Sequence, residues 1–201
     1  RDRYIRASKI SISSKGIRFF VHGTKKRIPF FLNTIGRCNV YNALAVITLG
    51  DYLGSGLKEM TRILNNFKFP KMRLEILKRD GYQLINDTYN ANPDSVKEAI
   101  TTLFSIPCRR RIVVLADMLE LGKTSKLMHQ QIGEFIARKG IDLLFTYGKQ
   151  SLWTAEAALS TGMKGKVFSF QEKGELLRKL KNILEKGDIF LIKGSRRMKM
   201  E

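Results

Sequence analysis

From Pro70 to the end of the chain, short apolar runs alternate with stretches of helical period. No other feature constrains the fold as tightly. Runs at 73–78 and 82–87 flank a turn at Asp80-Gly81, and further runs follow at 111–116, 141–147, 166–170 and 188–192. The stretches between them repeat as helices do. Val96, Ile100 and Leu103 share one face, as do Met128, Ile132, Phe135 and Ile136, and then Leu176, Leu177, Leu180 and Leu184. Residues 151–160 read as one more helix. Asn92 is placed to cap the first of these helices, with Pro93 at a position where its missing N–H costs nothing. Gly140 stops the second. Alternation of this kind predicts an α/β fold, a doubly wound and mostly parallel sheet. Ligands of such sheets bind beyond the carboxyl ends of the strands.

The first seventy residues follow another plan. Alternating runs at 4–7 and 9–13, a turn at Ser14-Lys15-Gly16, an apolar run at 17–22, a turn at 23–26 and a run at 28–32 predict an antiparallel meander. From Gly36 the period becomes helical, with Val40, Leu44 and Ile47 on one face. A second helix turns Leu57, Met60 and Leu64 inward and ends near Asn65-Asn66. Pro70, in Phe67-Lys68-Phe69-Pro70-Lys71, forces its predecessor out of helical geometry and marks a domain junction. The chain therefore divides into residues 1–70 and 71–201.

Charge separates the classes of partner. The chain has 37 Lys and Arg against 18 Asp and Glu, a formal net charge of +19, which suits an anionic ligand or surface. A basic nucleic-acid-binding module is one reading, with Lys25-Lys26-Arg27, Arg109-Arg110-Arg111 and Arg196-Arg197 as its patches. Against it, the charge is spread along the chain and no nucleic-acid module is recognisable. The apolar content, 43%, belongs to a globular protein and excludes wholesale disorder. Two cysteines, Cys38 and Cys108, make no disulfide framework and point to a reducing compartment. No run is long and apolar enough to span a bilayer. Both ends read as cut from a longer protein.

Polar residues gather at the predicted carboxyl edge of the sheet. Asn86-Asp87-Thr88-Tyr89-Asn90-Ala91-Asn92 follows one strand, Asp117-Met118-Leu119-Glu120-Leu121-Gly122 another, and Lys193-Gly194-Ser195-Arg196 the last. Each alone is ordinary turn chemistry, but three on one edge point to a site. Gly122-Lys123-Thr124 is not a P-loop, because the glycine needed five residues earlier is Asp117. His22 and His129 lack metal-ligand companions and read as structural or surface residues. Asn39 and Asn42 lie three apart on a helix, away from its apolar stripe. They suit either local capping or amide contacts to a purine edge.

Taken together, these motifs resemble the C-terminal half of the Mur ligases. The carriers are Gly36…Asn39-x-x-Asn42-Ala43-Leu44-Ala45, Phe67…Pro70…Arg73-Leu74-Glu75 and Asn86-Asp87-x-Tyr89-Asn90-Ala91-Asn92-Pro93-Asp94-Ser95. Asp117-Met118-x-Glu120-Leu121-Gly122 with Ser125 and His129, and Gly187-Asp188…Lys193-Gly194-Ser195-Arg196-x-Met198-x-Met200-Glu201, complete the set. The Tyr89–Pro93 and Lys193–Glu201 runs are most similar to those of members that add D-Ala-D-Ala. The resemblance implies a Rossmann-like C-terminal ligase domain over 71–201, lacking its last helix. It also implies that 1–70 is the C-terminal part of a P-loop-type central ATP-binding domain, strands followed by two helices.

The implied reaction is ATP-dependent peptide-bond formation in peptidoglycan precursor synthesis. ATP phosphorylates the terminal carboxylate of UDP-N-acetylmuramoyl-tripeptide, and the amine of D-Ala-D-Ala attacks the acyl phosphate. Mg²⁺ is implied too, its main ligands lying in a family segment upstream of this one together with the P-loop. The family implies a cytoplasmic enzyme, monomeric at full length, of which this stretch is inactive alone. By the same resemblance Asn39 and Asn42 match adenine-contacting positions, Arg73 an arginine at the nucleotide, and Asp87 the acid that bonds the ribose hydroxyls. Asn90 and Asn92 share the cleft-facing loop. Lys193, Ser195 and Arg196 match the loop on the amino-acid side, with Lys193 and Arg196 as the catalytic cations, and Asp117 and Glu120 border the incoming dipeptide. The chain departs from the family at Cys38 (commonly His), at Met72 and Ala116 (both commonly Gly), and at Asn86 (an acid in the closest relatives). A Mur ligase adding another amino acid is the nearest alternative.

Overall fold

The computed structural model describes residues 5–23 and 27–201. The expected strand start at Tyr4 and turn residues Thr24, Lys25 and Lys26 lie outside them. Two compact units appear, Arg1–Pro70 and Lys71–Glu201.

In the first unit, β1 (Arg6–Ser13), β2 (Gly16–His22) and β3 (Arg27–Leu32) form an antiparallel sheet in the order β1-β2-β3. The two runs expected at 4–7 and 9–13 are one strand, interrupted by a register shift between Ser8 and Ser11 with Lys9 at φ +50°. The interruption has a packing reason. Ile5 and Ala7 are odd-numbered, Ile10 and Ile12 even-numbered, yet all four pack on the same core. A regular strand would turn one pair to solvent, because its side chains alternate faces; one extra residue restores the parity. That core is closed by α1 (Cys38–Tyr52) and α2 (Leu57–Asn65). Val40, Ala43 and Ile47 of α1 and Met60 and Leu64 of α2 are buried against Ile17, Phe19, Val21, Phe30 and Leu32. Leu44 and Leu57, also predicted inward, are half-buried at its margin. The Asn65 carboxamide accepts from the Phe31 N–H and ties α2 to β3.

The second unit carries six strands: β4 (Glu75–Arg79), β5 (Tyr82–Asp87), β6 (Arg111–Ala116), β7 (Leu143–Tyr147), β8 (Lys166–Phe170) and β9 (Ile189–Lys193). Their order is β4-β5-β9-β6-β7-β8. All neighbours run parallel except β4 and β5, which form a hairpin. Its turn, Asp80-Gly81, has both residues at positive φ, +49° and +86°, the primed geometry that matches strand twist. The predicted α/β class, a doubly wound and mostly parallel sheet, is the one observed.

Helices α3 (Pro93–Leu103), α4 (Ser125–Lys139), α5 (Ser151–Ser160) and α6 (Lys173–Ile183) make the crossovers. The β7–α5–β8 connection moves outward along the sheet, whereas β8–α6–β9 returns inward. Right-handed crossovers of opposite direction place their helices on opposite faces. Leu176 and Leu180 of α6 accordingly bury against Ile112, Val114, Leu143, Phe145 and Phe190. Asn92 caps α3 as expected, in a reciprocal box: its carboxamide accepts from the Ser95 N–H at 2.8 Å, and the Ser95 hydroxyl accepts from the Asn92 N–H at 3.0 Å. Gly133 lets α4 and α5 meet, since a Cβ there would lie 2.2 Å from the Thr154 carbonyl oxygen. The arginine triplet at the opposite edge of the sheet is used internally. Arg109 pairs with Glu185, Arg110 holds buried Asp188 in a two-pronged contact, and the Arg111 guanidinium covers the Phe104 ring. Among the described residues no helix is long and apolar enough to cross a membrane.

Candidate functional site

At the carboxyl ends of β5 and β9, Asp87 and Lys193 are register partners on adjacent parallel strands. Both side chains are buried, and Lys193 Nζ lies 2.6 Å from Asp87 Oδ2. Lys193 also donates to the Asn90 carbonyl at 2.8 Å, while Asp87 Oδ1 accepts from the Leu74 N–H at 3.1 Å. One ion pair thus gathers three segments: the approach to β4, the loop after β5 and the end of β9.

Arg73 sits in the first of these, between Met72 at φ +61° and Leu74 at φ +51°. Left-handed backbone is costly for such residues, so the segment depends on the contacts that hold it. The segment is held by Glu75, whose carboxylate accepts from the Met72 N–H and the Asn86 amide. The Tyr89 N–H in turn donates to the Met72 carbonyl. The Arg73 guanidinium lies over the Tyr89 ring, 3.9 Å from its centroid, and both side chains are exposed.

The three loops singled out in the sequence do meet. They enclose a cavity of about 250 Å³ lined by Tyr89, Asn90, Leu119, Glu120, Ser195, Arg196 and Arg197. Ser195 joins two of its walls: its hydroxyl accepts from the Leu119 N–H at 2.8 Å and its N–H donates to the Asp117 carbonyl at 3.1 Å. Glu120 presents its carboxylate from backbone at φ +66°. Arg196, also in the lining, pairs with Glu201 at 3.0 Å and reaches the Met72 sulfur at 3.3 Å.

Several expected site residues are held by bonds within the fold and do not line this cavity. Asp117 does not line the cavity. Its carboxylate is buried and accepts from the Ser151 N–H at 2.6 Å, an anion at the N-terminus of α5. Gly148 is required beside it, because a Cβ there would sit 2.5 Å from Asp117 Oδ1. Asn92 spends its carboxamide oxygen on the α3 cap. Lys193 is not presented to the cavity but buried in its pair with Asp87. In the first unit, Asn39 does not cap α1. Its amide donates to the Ile35 carbonyl at 2.7 Å, and Asn42 donates to Asn39 at 3.3 Å from an exposed position. Asn90 and Ser195 border the cavity as anticipated. Tyr89, Leu119 and Arg197 also border it and are not among the expected ligase site residues, although Tyr89 and Arg197 sit inside the two most specific motifs. Among the described residues no three His, Cys, Asp or Glu side chains are grouped to hold a metal ion.

Against known proteins, the family described as "Mur ligase, glutamate ligase domain" matches residues 72–196. The chain belongs to the Mur ligase family. A similar relative, the UDP-N-acetylmuramoyl-tripeptide–D-alanyl-D-alanine ligase of Bacillus subtilis (strain 168), is 40% identical over 194 residues, 96% of this chain and 42% of that protein. A crystal structure of MurF from Acinetobacter baumannii superposes with a TM-score of 0.84 at 28% identity, covering 98% of this chain and 43% of the other. MurF ligase from Thermotoga maritima in complex with ADP shares the fold with a TM-score of 0.82 at 20% identity, over 98% of this chain and 44% of the other. This Mur ligase chain therefore spans about 42% of the length of its curated relative.

Proposed function

We propose that this chain is the C-terminal part of a cytoplasmic, ATP-dependent Mur ligase that joins D-Ala-D-Ala to UDP-N-acetylmuramoyl-tripeptide. Residues 1–70 would close the central ATP-binding domain and 71–201 would form the ligase domain. The observation that carries the reading is the charge of the 250 Å³ cavity, whose lining includes the acid Glu120 and the cations Arg196 and Arg197. A short dipeptide is a zwitterion of matching size. Its ammonium group suits the carboxylate, and its carboxylate suits the guanidinium groups, whose fork geometry fits two oxygens. The name of the B. subtilis relative supports the same substrate.

The chemistry follows from the poor electrophilicity of a carboxylate. Transfer of the γ-phosphoryl group of ATP to the tripeptide's terminal carboxylate gives an acyl phosphate. The dipeptide's ammonium group gives up a proton to solvent and the free amine attacks the carbonyl carbon; the C–N bond forms, the C–O bond to phosphate breaks, a second proton leaves the nitrogen, and inorganic phosphate departs. Residues of this chain contribute mainly position and charge. Glu120 orients the amine and Arg196, with Arg197, anchors the far carboxylate. Ser195 fixes the two walls, and Asn90, whose carbonyl accepts from Lys193, lines the cavity. Arg73, stacked on Tyr89 and open to solvent, suits a nucleotide, as does the exposed amide of Asn42, which Asn39 orients. Asp87 retains a second lone pair on each oxygen for a ribose hydroxyl. Asp117 and Asn92 hold the loops from behind. The described residues do not fit a Mg²⁺ site of their own, so the ion required by the phosphates would take its ligands elsewhere.

The test is phosphate release by the full-length product of this gene with ATP and UDP-N-acetylmuramoyl-tripeptide. Release that depends on D-Ala-D-Ala, and not on D-Ala, L-Ala or D-Glu, is expected. Equal release with a single amino acid would overturn the assignment.

A further inference from the structure

His129 lies on the second turn of α4, 1% exposed, and touches none of the cavity. Its ring is fixed at both nitrogens. Nδ1 lies 2.8 Å from the Ser125 carbonyl oxygen, which can only accept, so Nδ1 carries the proton. Nε2 is then an acceptor, and it takes the Met118 N–H at 3.1 Å. The imidazole edge packs on Trp153, and the Thr154 hydroxyl holds the His129 carbonyl from α5.

Met118 opens the wall of the cavity. Its neighbour Leu119 gives its N–H to Ser195, and Glu120 follows in left-handed backbone. A buried N–H without an acceptor is costly, so this loop conformation depends on an acceptor at the position of Nε2. Resting on the ligase reading above, we propose that His129 is a positioning residue for dipeptide recognition: its Nε2 holds the Met118 N–H and so sets where Glu120 stands in the cavity. The ring acts through the loop and never meets substrate. A side chain that supplies an acceptor at the same reach preserves the function, whereas an apolar one of similar bulk does not.

The test compares His129→Leu and His129→Gln in the full-length enzyme. His129→Leu keeps bulk and loses the acceptor; the Gln oxygen reaches about as far as Nε2. His129→Leu is expected to raise the KM for D-Ala-D-Ala roughly tenfold, the scale of one hydrogen bond left unmade. The KM for ATP should stay within about twofold. Amide hydrogen exchange of the peptide over 117–121 should speed up in the same variant, and His129→Gln should recover most of both effects. An unchanged dipeptide KM in His129→Leu, or a Gln variant as impaired as Leu, would overturn the proposal. Should the wild-type enzyme fail to ligate D-Ala-D-Ala, the ligase reading falls, and exchange still decides the role of His129. Faster exchange in Leu with recovery in Gln supports it, and unchanged exchange refutes it.

Discussion

Asp87 and Lys193 close the ends of two adjacent parallel strands with a buried ion pair 2.6 Å long, although they stand 106 residues apart in the chain. Removing either partner strands a charge in a dry setting. Asp87→Leu or Lys193→Met alone should each destabilise the second unit by about 3 kcal/mol. The double variant should recover much of that loss, because no charge is left unpaired. Urea unfolding followed through Trp153, the single tryptophan of the chain and a residue of α5, reads the unit directly. Single variants as stable as the parent would show that the pair contributes nothing.

Gly133 and Thr154 predict a result that helix propensity alone gets wrong in sign. Alanine in place of a mid-helix glycine stabilises a solvent-facing helix by roughly 1 kcal/mol. Here the new methyl would meet the Thr154 carbonyl at 2.2 Å and Ala157 Cβ at 2.8 Å. Gly133→Ala should therefore destabilise by about 1–3 kcal/mol, the scale of overpacking, by forcing α4 and α5 apart. A thermal melt with an unchanged or higher midpoint would refute the close approach.

His129 sets a pH dependence on stability. Burial holds its pKa below the ordinary 6.5, outweighing the Ser125 carbonyl and the Asp117 charge, which act to raise it. The unfolded chain then takes up this proton at a higher pH than the folded one. Stability should be level with respect to this group above about pH 7 and fall as pH drops from there through the folded pKa. His129→Gln should flatten that limb of the urea-stability profile. An identical slope in the variant would assign the acid sensitivity to other groups.

The cavity makes a kinetic prediction. Arg196→Ala with Arg197→Ala should raise the KM for the dipeptide by about tenfold or more and leave that for ATP within about twofold, since both residues line the cavity proposed for the dipeptide. Glu120→Gln should act in the same direction through the amine. Equal effects on both substrates would mean that these residues hold the loop and not the ligand.

Arg73 and Tyr89 make a prediction for the nucleotide. Tyr89→Ala removes the ring under the guanidinium, a contact of about 0.5–1 kcal/mol at an exposed site. Loss of that order should weaken ATP binding severalfold, measured by titration with a non-hydrolysable ATP analogue. An Arg73→Ala variant that binds the analogue as tightly as the parent would remove Arg73 from the nucleotide site.

The α/β alternation, the hairpin at Asp80-Gly81, the capping of α3 by Asn92 and the stop at Gly140 were all legible in the residues themselves. Each depends on local preferences: hydrophobic period, positive φ or a side chain bonding its own backbone a few residues away. The gathering of the loops after β5, β6 and β9 could also be anticipated, because parallel sheets send every strand's carboxyl end to one edge. What only the tertiary structure decided is which polar residues face that edge outward and which are spent inside it. Asp117 and Lys193 look alike in sequence to Glu120 and Arg196, yet the first two are held by the Ser151 N–H and Asp87. Their partners lie across strand order β5-β9-β6 or on a following helix. A polar side chain is committed by whatever donor or acceptor the fold brings within 3 Å, and residue type alone does not carry that information. His129 is the sharpest instance. As a lone histidine without ligand companions it reads as structural or surface, and its link to the cavity's loop follows from one backbone N–H that the β6 loop brings to its ring.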